Sequence, residues 1–312
     1  MKCWKPQSHI ATNKIKVFLL NKLEALRRLS KIHIIDVFKH REPNVISCYV
    51  LQYEKPVVID PGPLNGVHNV MEGLERLSVK PEIIALTHVH LDHAGGVARL
   101  AKPLSAKVVV HPRGAKHVVN PAKLWEASKT ILGELAAVFG KPEPLEEDKI
   151  MIVEDCQKLD LGEDELVVLH APGHAPHMQV YYLKEAKILF PADAVGMGFN
   201  GLIIPSTPPP FDYDKALSTL KRLRRLEVTS VALTHFGLAD KEIIEKAEDK
   251  IREWCEMATS CNSVDDLIEK LLREDGDVRA LCEGRPKDSV TMNFFKVSAQ
   301  GIFDYVKRGL QL

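Results

Sequence analysis

The chain has 312 residues, and its 42 lysines and arginines are balanced by 42 aspartates and glutamates. A formal charge of zero supplies no general field for nucleic acid or an acidic membrane surface, which leaves small-molecule chemistry as the expected business of the protein. One catalytic domain with helical additions suits this length better than two independent domains, and six scattered cysteines without Cys-x-x-Cys spacing read as reduced thiols in a cytoplasmic protein.

Residues 1–32 carry Ile15, Phe18, Leu19, Leu23, Leu26 and Leu29 at helical spacing among Lys14, Lys16, Lys22, Arg27 and Arg28, predicting an amphipathic extension packed on the main domain. No apolar run reaches the roughly 18 residues of a membrane span. Residues 33–239 form the predicted catalytic domain. Up to about residue 237 it consists of short β-rich runs, and these share one habit. Pro56 to Ile59 ends in Asp60, Ile83 to Thr87 in His88, and Leu166 to Leu169 leads to His174. Ile188 to Phe190 leads to Asp193, and Val231 to Thr234 ends in His235. Nearly continuous apolar runs fit strands covered on both faces, with the chemistry displayed along one sheet edge.

Between about 114 and 140, Leu124, Trp125, Ile131, Leu132, Leu135 and Val138 recur at helical intervals, so a helical insertion is expected over or beside that edge. Asp212 is the expected N-cap of a helix from Tyr213 to Leu226. Residues 240–312 read as a helical region: Lys241 to Met257, a segment capped by Ser263, and Val290 to Leu310. Phe294, Phe295, Ile302, Phe303 and Val306 in the last helix are candidates either for contacts of a homodimer or for packing within the chain.

The segment Thr87-His88-Val89-His90-Leu91-Asp92-His93-Ala94-Gly95-Gly96 concentrates four candidate metal ligands in six positions. Residues two apart on an extended stretch face the same way, so His88 and His90 are able to converge on one ion while Asp92 and His93 point elsewhere, toward a second. The two glycines that follow let the backbone pass close to the ions and turn into a helix without a Cβ clash.

This His-x-His-x-Asp-His run, in its ordered context, resembles the signature of the metallo-β-lactamase superfamily over roughly residues 33–237, about two thirds of the chain. The resemblance implies an α+β fold, a four-layer αββα sandwich, here with helical N- and C-terminal additions. It also implies a ligand set. His88, His90 and His174 would hold one ion, Asp92, His93 and His235 a second, and Asp193 would bridge them, with Asp60 supporting the ligand loop. Nitrogen and oxygen donors of this kind suit two divalent ions, zinc by default, with iron or manganese also fitting. The implied reaction is hydrolysis of an ester, thioester or lactone by a metal-bridging hydroxide, with Asp92 relaying a proton. His177, three residues after His174, is a candidate to donate a proton or contact substrate, or else to hold a ligand by a hydrogen bond.

Alternatives on the same scaffold are a phosphotriesterase or phosphodiesterase, and a persulfide dioxygenase using one iron. An aspartate at the bridging position resembles the glyoxalase II and lactonase branch rather than the antibiotic-hydrolysing one. Many lactonases of this fold carry a tyrosine three residues past that aspartate, where this chain has Gly196; Tyr181 and Tyr182 are candidate substitutes. His111 and His170 read as supporting or structural residues, and Lys221-Arg222-Leu223-Arg224-Arg225 as a solvated helix face.

Overall fold

Alternate residues of single strands enter different apolar clusters, and this alternation builds the layers. On the strand Ser47–Leu51, Cys48 and Val50 face one cluster while Tyr49 and Leu51 face another. Val108 and Val110 face opposite to Val109 on Lys107–Val110. Period-two side-chain direction, with apolar residues on both faces, requires each sheet to be covered on both sides. The computed structural model describes residues 28–199 and 201–309, so the predicted extension at residues 1–32 lies almost wholly outside the described residues.

The first sheet holds β1 (Ile32–Asp36), β2 (Ser47–Leu51), β3 (Val57–Ile59), β4 (Ile83–Ala85), β5 (Lys107–Val110) and β6 (Ile150–Ile152), side by side in that order. The second sheet contains β7 (Lys158–Asp160), β8 (Glu165–His170), β9 (Gln179–Leu183) and β10 (Ile188–Phe190). A small hairpin, β11 (Met197–Phe199) and β12 (Leu202–Ile204), stands apart, and β13 (Ser230–Ala232) and β14 (Leu238–Ala239) complete the second sheet beyond β10. Between the sheets lie Tyr49, Ile59, Ala85, Val168, Tyr181 and Phe190.

Helices α1 (Val67–Leu77), α2 (Leu91–Ala94) and α3 (Val97–Leu104) follow β3 and β4. Val70, Leu74, Leu100 and Ala101 from α1 and α3 cover the outer face of the first sheet. The expected helical insertion consists of α4 (Pro112–Val119), α5 (Ala122–Leu132) and α6 (Glu134–Phe139), separated at Pro121 and Gly133. On the far side, α7 (Tyr213–Leu223), α8 (Ile243–Thr259), α9 (Val264–Glu274), α10 (Gly276–Cys282) and α11 (Val290–Gly309) share one apolar cluster with the outer face of the second sheet. Asp212 caps α7 through the Lys215 N–H, and Ser263 caps α9 in a reciprocal box with Asp266, as their sequence positions indicate.

Topology sets the position of the site. β3, β4 and β5 are parallel, with Ile59 opposite Ala85 and Ala85 opposite Val109, so Asp60, Thr87 and His88 leave the sheet at one edge. In the second sheet β10 and β13 are parallel, and β8 runs in the same sense because β9 is antiparallel to both neighbours. The chain therefore emerges toward His174, Asp193 and His235 on a common edge. Polar bonds join the sheets there: Ser47 N–H donates to Thr234 O (2.7 Å), Gln179 N–H to Thr87 O (2.8 Å), and the Tyr49 hydroxyl to Leu233 O (2.7 Å).

Several side chains have duties other than those anticipated. Phe295 and Ile302 are fully buried and Val306 nearly so, which leaves them inside the chain rather than on a dimer face. Tyr181 is buried with its hydroxyl on Leu86 O (2.7 Å), and the Tyr182 hydroxyl bonds Glu227 O, so neither substitutes for a tyrosine in the site. Position 196 has no room for one: Gly196 has φ +86°, and a Cβ there would lie 2.3 Å from Ile204 O. The basic run at the end of α7 is the solvated face expected of it, with Arg222 pairing with Asp155 and Arg224 with Glu245 and Glu248 at the surface.

Candidate metal centre

Two groups of donors converge at the shared edge. His88, His90, His174 and Asp193 place ligand atoms within 4.8 Å of one another, and Asp92, His93, Asp193 and His235 do the same. Asp193 belongs to both. Its Oδ2 lies 3.5 Å from His88 Nε2 and 3.2 Å from both His93 Nε2 and His174 Nε2, while Oδ1 lies 3.0 Å from His235 Nε2. His90 Nδ1 sits 3.0 Å from His88 Nε2 and 2.9 Å from His174 Nε2. Seven residues from four segments, 88–93, 174, 193 and 235, thus meet as the resemblance implies.

The outer hydrogen bonds explain how the rings are held. Carbonyl and carboxylate oxygens only accept, so a ring nitrogen facing one carries the proton and leaves the opposite nitrogen with a lone pair. His174 Nδ1 donates to Ser206 O (2.9 Å), His235 Nδ1 to Val45 O (2.9 Å) and His93 Nδ1 to Asp60 Oδ2 (2.9 Å). The Thr87 hydroxyl donates to Asp60 Oδ2 (2.6 Å) and so accepts from His88 Nδ1 at 3.1 Å. In each case the inward atom is Nε2.

Asp60 is therefore the support expected of it, also accepting the Thr87 N–H at 2.8 Å. Asp60, Ala192 and Phe236, at or beside these residues, have left-handed φ values of 51°, 49° and 100°. Strain of this kind gathers where the surrounding structure enforces a functional geometry.

The electrostatics are those of a site built for positive charge. Burial, reinforced by the neighbouring imidazoles, holds His88 and His90 well below the ordinary histidine range and therefore neutral. Burial alone would raise the Asp193 carboxyl, but His174, His93 and His235 outweigh it and bring it well below the usual carboxylate range. Burial would lower His93, yet Asp92, Asp193 and Asp60 raise it. His93 Nε2 is buried with no hydrogen-bond partner, 3.4 Å from Asp92 Oδ2. Buried, ionised Asp92 and Asp193 that draw positive charge onto His93, beside neutral His88 and His90, fit a divalent cation, which would take the place of that proton.

A narrow cavity of about 70 Å³ opens onto the two groups, bordered by His90, Asp92, His174, Asp193 and His235. His177 is absent from that border. Its ring lies 6.3 Å from the His88 ring and 5.7 Å from that of His90, and burial pushes it down to about 3. His111 caps α4 by accepting the Arg113 N–H at 3.0 Å, a role already signalled by the proline after it. His170 is structural, with Nε2 donating to Val153 O. Phe294, named from the sequence only for helix packing or a dimer contact, has its ring 5.1 Å from that of His235, and the Ser206 carbonyl that fixes His174 was overlooked.

Fold and site together define a binuclear-type centre at the edge of an αββα sandwich, and residues 41–235 match the metallo-beta-lactamase superfamily. The chain belongs to that superfamily. It is 34% identical over 220 residues to the metallo-beta-lactamase fold-containing protein ST1585 of Sulfurisphaera tokodaii, covering 69% of this chain and 82% of that one. The crystal structure of ST1585 superposes with a TM-score of 0.69 at 26% identity, over 88% of this chain and 98% of the other. The human acyl-coenzyme A thioesterase MBLAC2 is 26% identical over 190 residues, 57% of this chain and 60% of its own. TTHA1623, solved in a di-iron-bound form, gives a TM-score of 0.52 at 26% identity over 66% and 95% of the two chains.

Proposed function

We propose that this protein is a binuclear metal-dependent hydrolase acting on an ester or thioester. The observation that carries the reading is the pair of donor groups sharing Asp193, with the imidazole N–H groups turned outward and the lone pairs inward. His88, His90 and His174 would hold one ion, Asp92, His93 and His235 the other, and Asp193 both. Bound there, two divalent ions supply Lewis acidity toward a carbonyl oxygen and acidify water at neutral pH. Zinc suits the donor set, and the di-iron form of TTHA1623 makes iron the next choice.

The remaining chemistry belongs to the chain. Asp92 borders the cavity and is placed to accept the proton that an attacking water gives up. Asp60, Thr87 and the carbonyls of Ser206 and Val45 hold four imidazoles in their tautomers, so the donors need no rearrangement. The fullness of the second group, including the unpartnered His93 Nε2, favours two ions over the single iron of a dioxygenase. Likeness to the thioesterase MBLAC2 supports acyl transfer to water.

The test is a substrate panel of aryl esters, S-acyl thioesters, lactones and phosphotriesters, given to the full chain reconstituted with zinc or iron. We expect turnover of esters or thioesters, abolished together with metal uptake in Asp193→Ala and His90→Ala. Turnover that survives complete metal removal would refute the proposal.

A further inference from the structure

We infer that the cavity over the metal centre is an acyl sleeve that accepts an uncharged, apolar chain and disfavours one carrying an anionic group. The inference rests on the hydrolase reading and names the substrate class of the same site. Apart from the ligand residues, the described border is Leu91, Ile131, Leu132, Met197, Phe294 and Val297, with neutral serines and prolines between them. No lysine or arginine is among the described residues that border it. Away from the donor groups, a carboxylate or phosphate on the chain would give up hydration with no lysine or arginine in the described wall to replace it.

The wall is supplied from outside the sheets. Ile131 and Leu132 come from α5, and Phe294 and Val297 from α11. Phe294 is fixed between His235, at 5.1 Å between ring centroids, and Phe139, at 6.0 Å, so it is a stationary wall beside the reacting groups. Ile131 stands at 40% exposure, one of four large apolar side chains exposed among the described residues. An apolar residue exposed where it borders a site is suited to contact ligand. Phe294 and Val297 therefore set the depth of the sleeve, and Ile131 lies toward its solvent side.

The experiment measures kcat/KM of the metal-reconstituted full chain for p-nitrophenyl acetate, butanoate, hexanoate and octanoate, and for the octanoate analogue ending in a carboxylate, p-nitrophenyl hydrogen suberate. In parallel, binding of octanamide and suberamate is measured by calorimetry or ligand-observed NMR on the full chain stripped of metal, so that the suberamate carboxylate has no ion to coordinate. We expect about a fourfold gain per methylene until the sleeve is full. The suberate ester should be at least about tenfold poorer than the octanoate, and suberamate should bind correspondingly more weakly than octanamide. Phe294→Ala should move the optimum to longer chains. Ile131→Lys, at a site exposed enough to tolerate it, should narrow the gap against the suberate ester. A flat chain-length profile with esters cleaved, or equal treatment of the carboxylate, overturns the sleeve and leaves the hydrolase reading standing. Preferential octanamide binding without cleavage of any ester upholds the sleeve and overturns that reading, and absence of both binding and cleavage overturns both.

Discussion

Asp60 and Asp193 carry the same carboxylate to different ends. Asp60 accepts from the Thr87 N–H, the Thr87 hydroxyl and His93 Nδ1, and is saturated by fixed donors. Asp193 faces imidazole nitrogens that are themselves arranged as donors to a cation. Asp60→Ala should leave the Thr87 N–H buried and unpaired, at a cost of about 1–3 kcal/mol, and free the His93 ring to turn. Metal affinity measured by chelator competition should fall about 10–100-fold, and an unchanged affinity would remove Asp60 from its supporting role.

His111 gives a pH prediction away from the metal centre. Burial, then the His170 ring and Arg113, push it down to about 4, whereas an unfolded histidine titrates near about 6.5. Below that value the unfolded chain takes up the proton first, so this contribution to stability is complete above about pH 6.5 and declines as pH falls toward about 4. Urea unfolding midpoints should therefore drop less between pH 7 and 5 in His111→Asn, which keeps an N-capping side chain without the titration. Parallel curves for the two proteins would contradict the assignment.

At the scale of elements, the strand ends were legible because each apolar run stops at a residue whose chemistry is out of place in a core. Asp60, His88, His174, Asp193 and His235 all carry that mark, and parallel pairing of β3 with β4 and of β10 with β13 brings them together. Phe294 carried no such mark. In the sequence it is one apolar residue among several on a long helix, and only the packing of α11 across the second sheet sets it against His235, 59 residues away in the chain. His177 is close to His174 in sequence, and that closeness does not reveal that its ring stands beside His88 and His90 without bordering the described cavity.

The seat of α11 also makes a prediction. A Cβ at Gly301 would lie 1.8 Å from Thr207 O, in the segment that continues from the Ser206 carbonyl behind His174 to the cavity-lining Pro208 and Pro209. Gly301→Ala should push the helix off that segment, destabilise the protein by about 1–3 kcal/mol and raise KM. A melt and KM matching the parent protein would show that this contact does not set the wall.

The molecule as a whole joins its two sheets at the edge where the donors meet, so the ions should act as part of the fold. Ligands that bind only the folded chain stabilise it by about 2.7 kcal/mol at one hundred times their dissociation constant. Chelation should accordingly lower the melting temperature by about 5–10 °C, and readdition of metal should restore it. An unaltered melt would mean that the donor groups are held without help from a cation. The helices beyond the sandwich have a place in the same account, because α5 and α11 close the site that the sheets build.

The most direct test of the central claim is the number of ions bound per chain at saturation, counted by elemental mass spectrometry on the wild-type protein, Asp193→Ala and His235→Ala. Two ions in the wild type, with occupancy lost at both positions in Asp193→Ala and chiefly at one in His235→Ala, is the result predicted by two donor groups that share a carboxylate. A wild-type chain that saturates with a single ion, or an Asp193→Ala variant that still holds two, would contradict it.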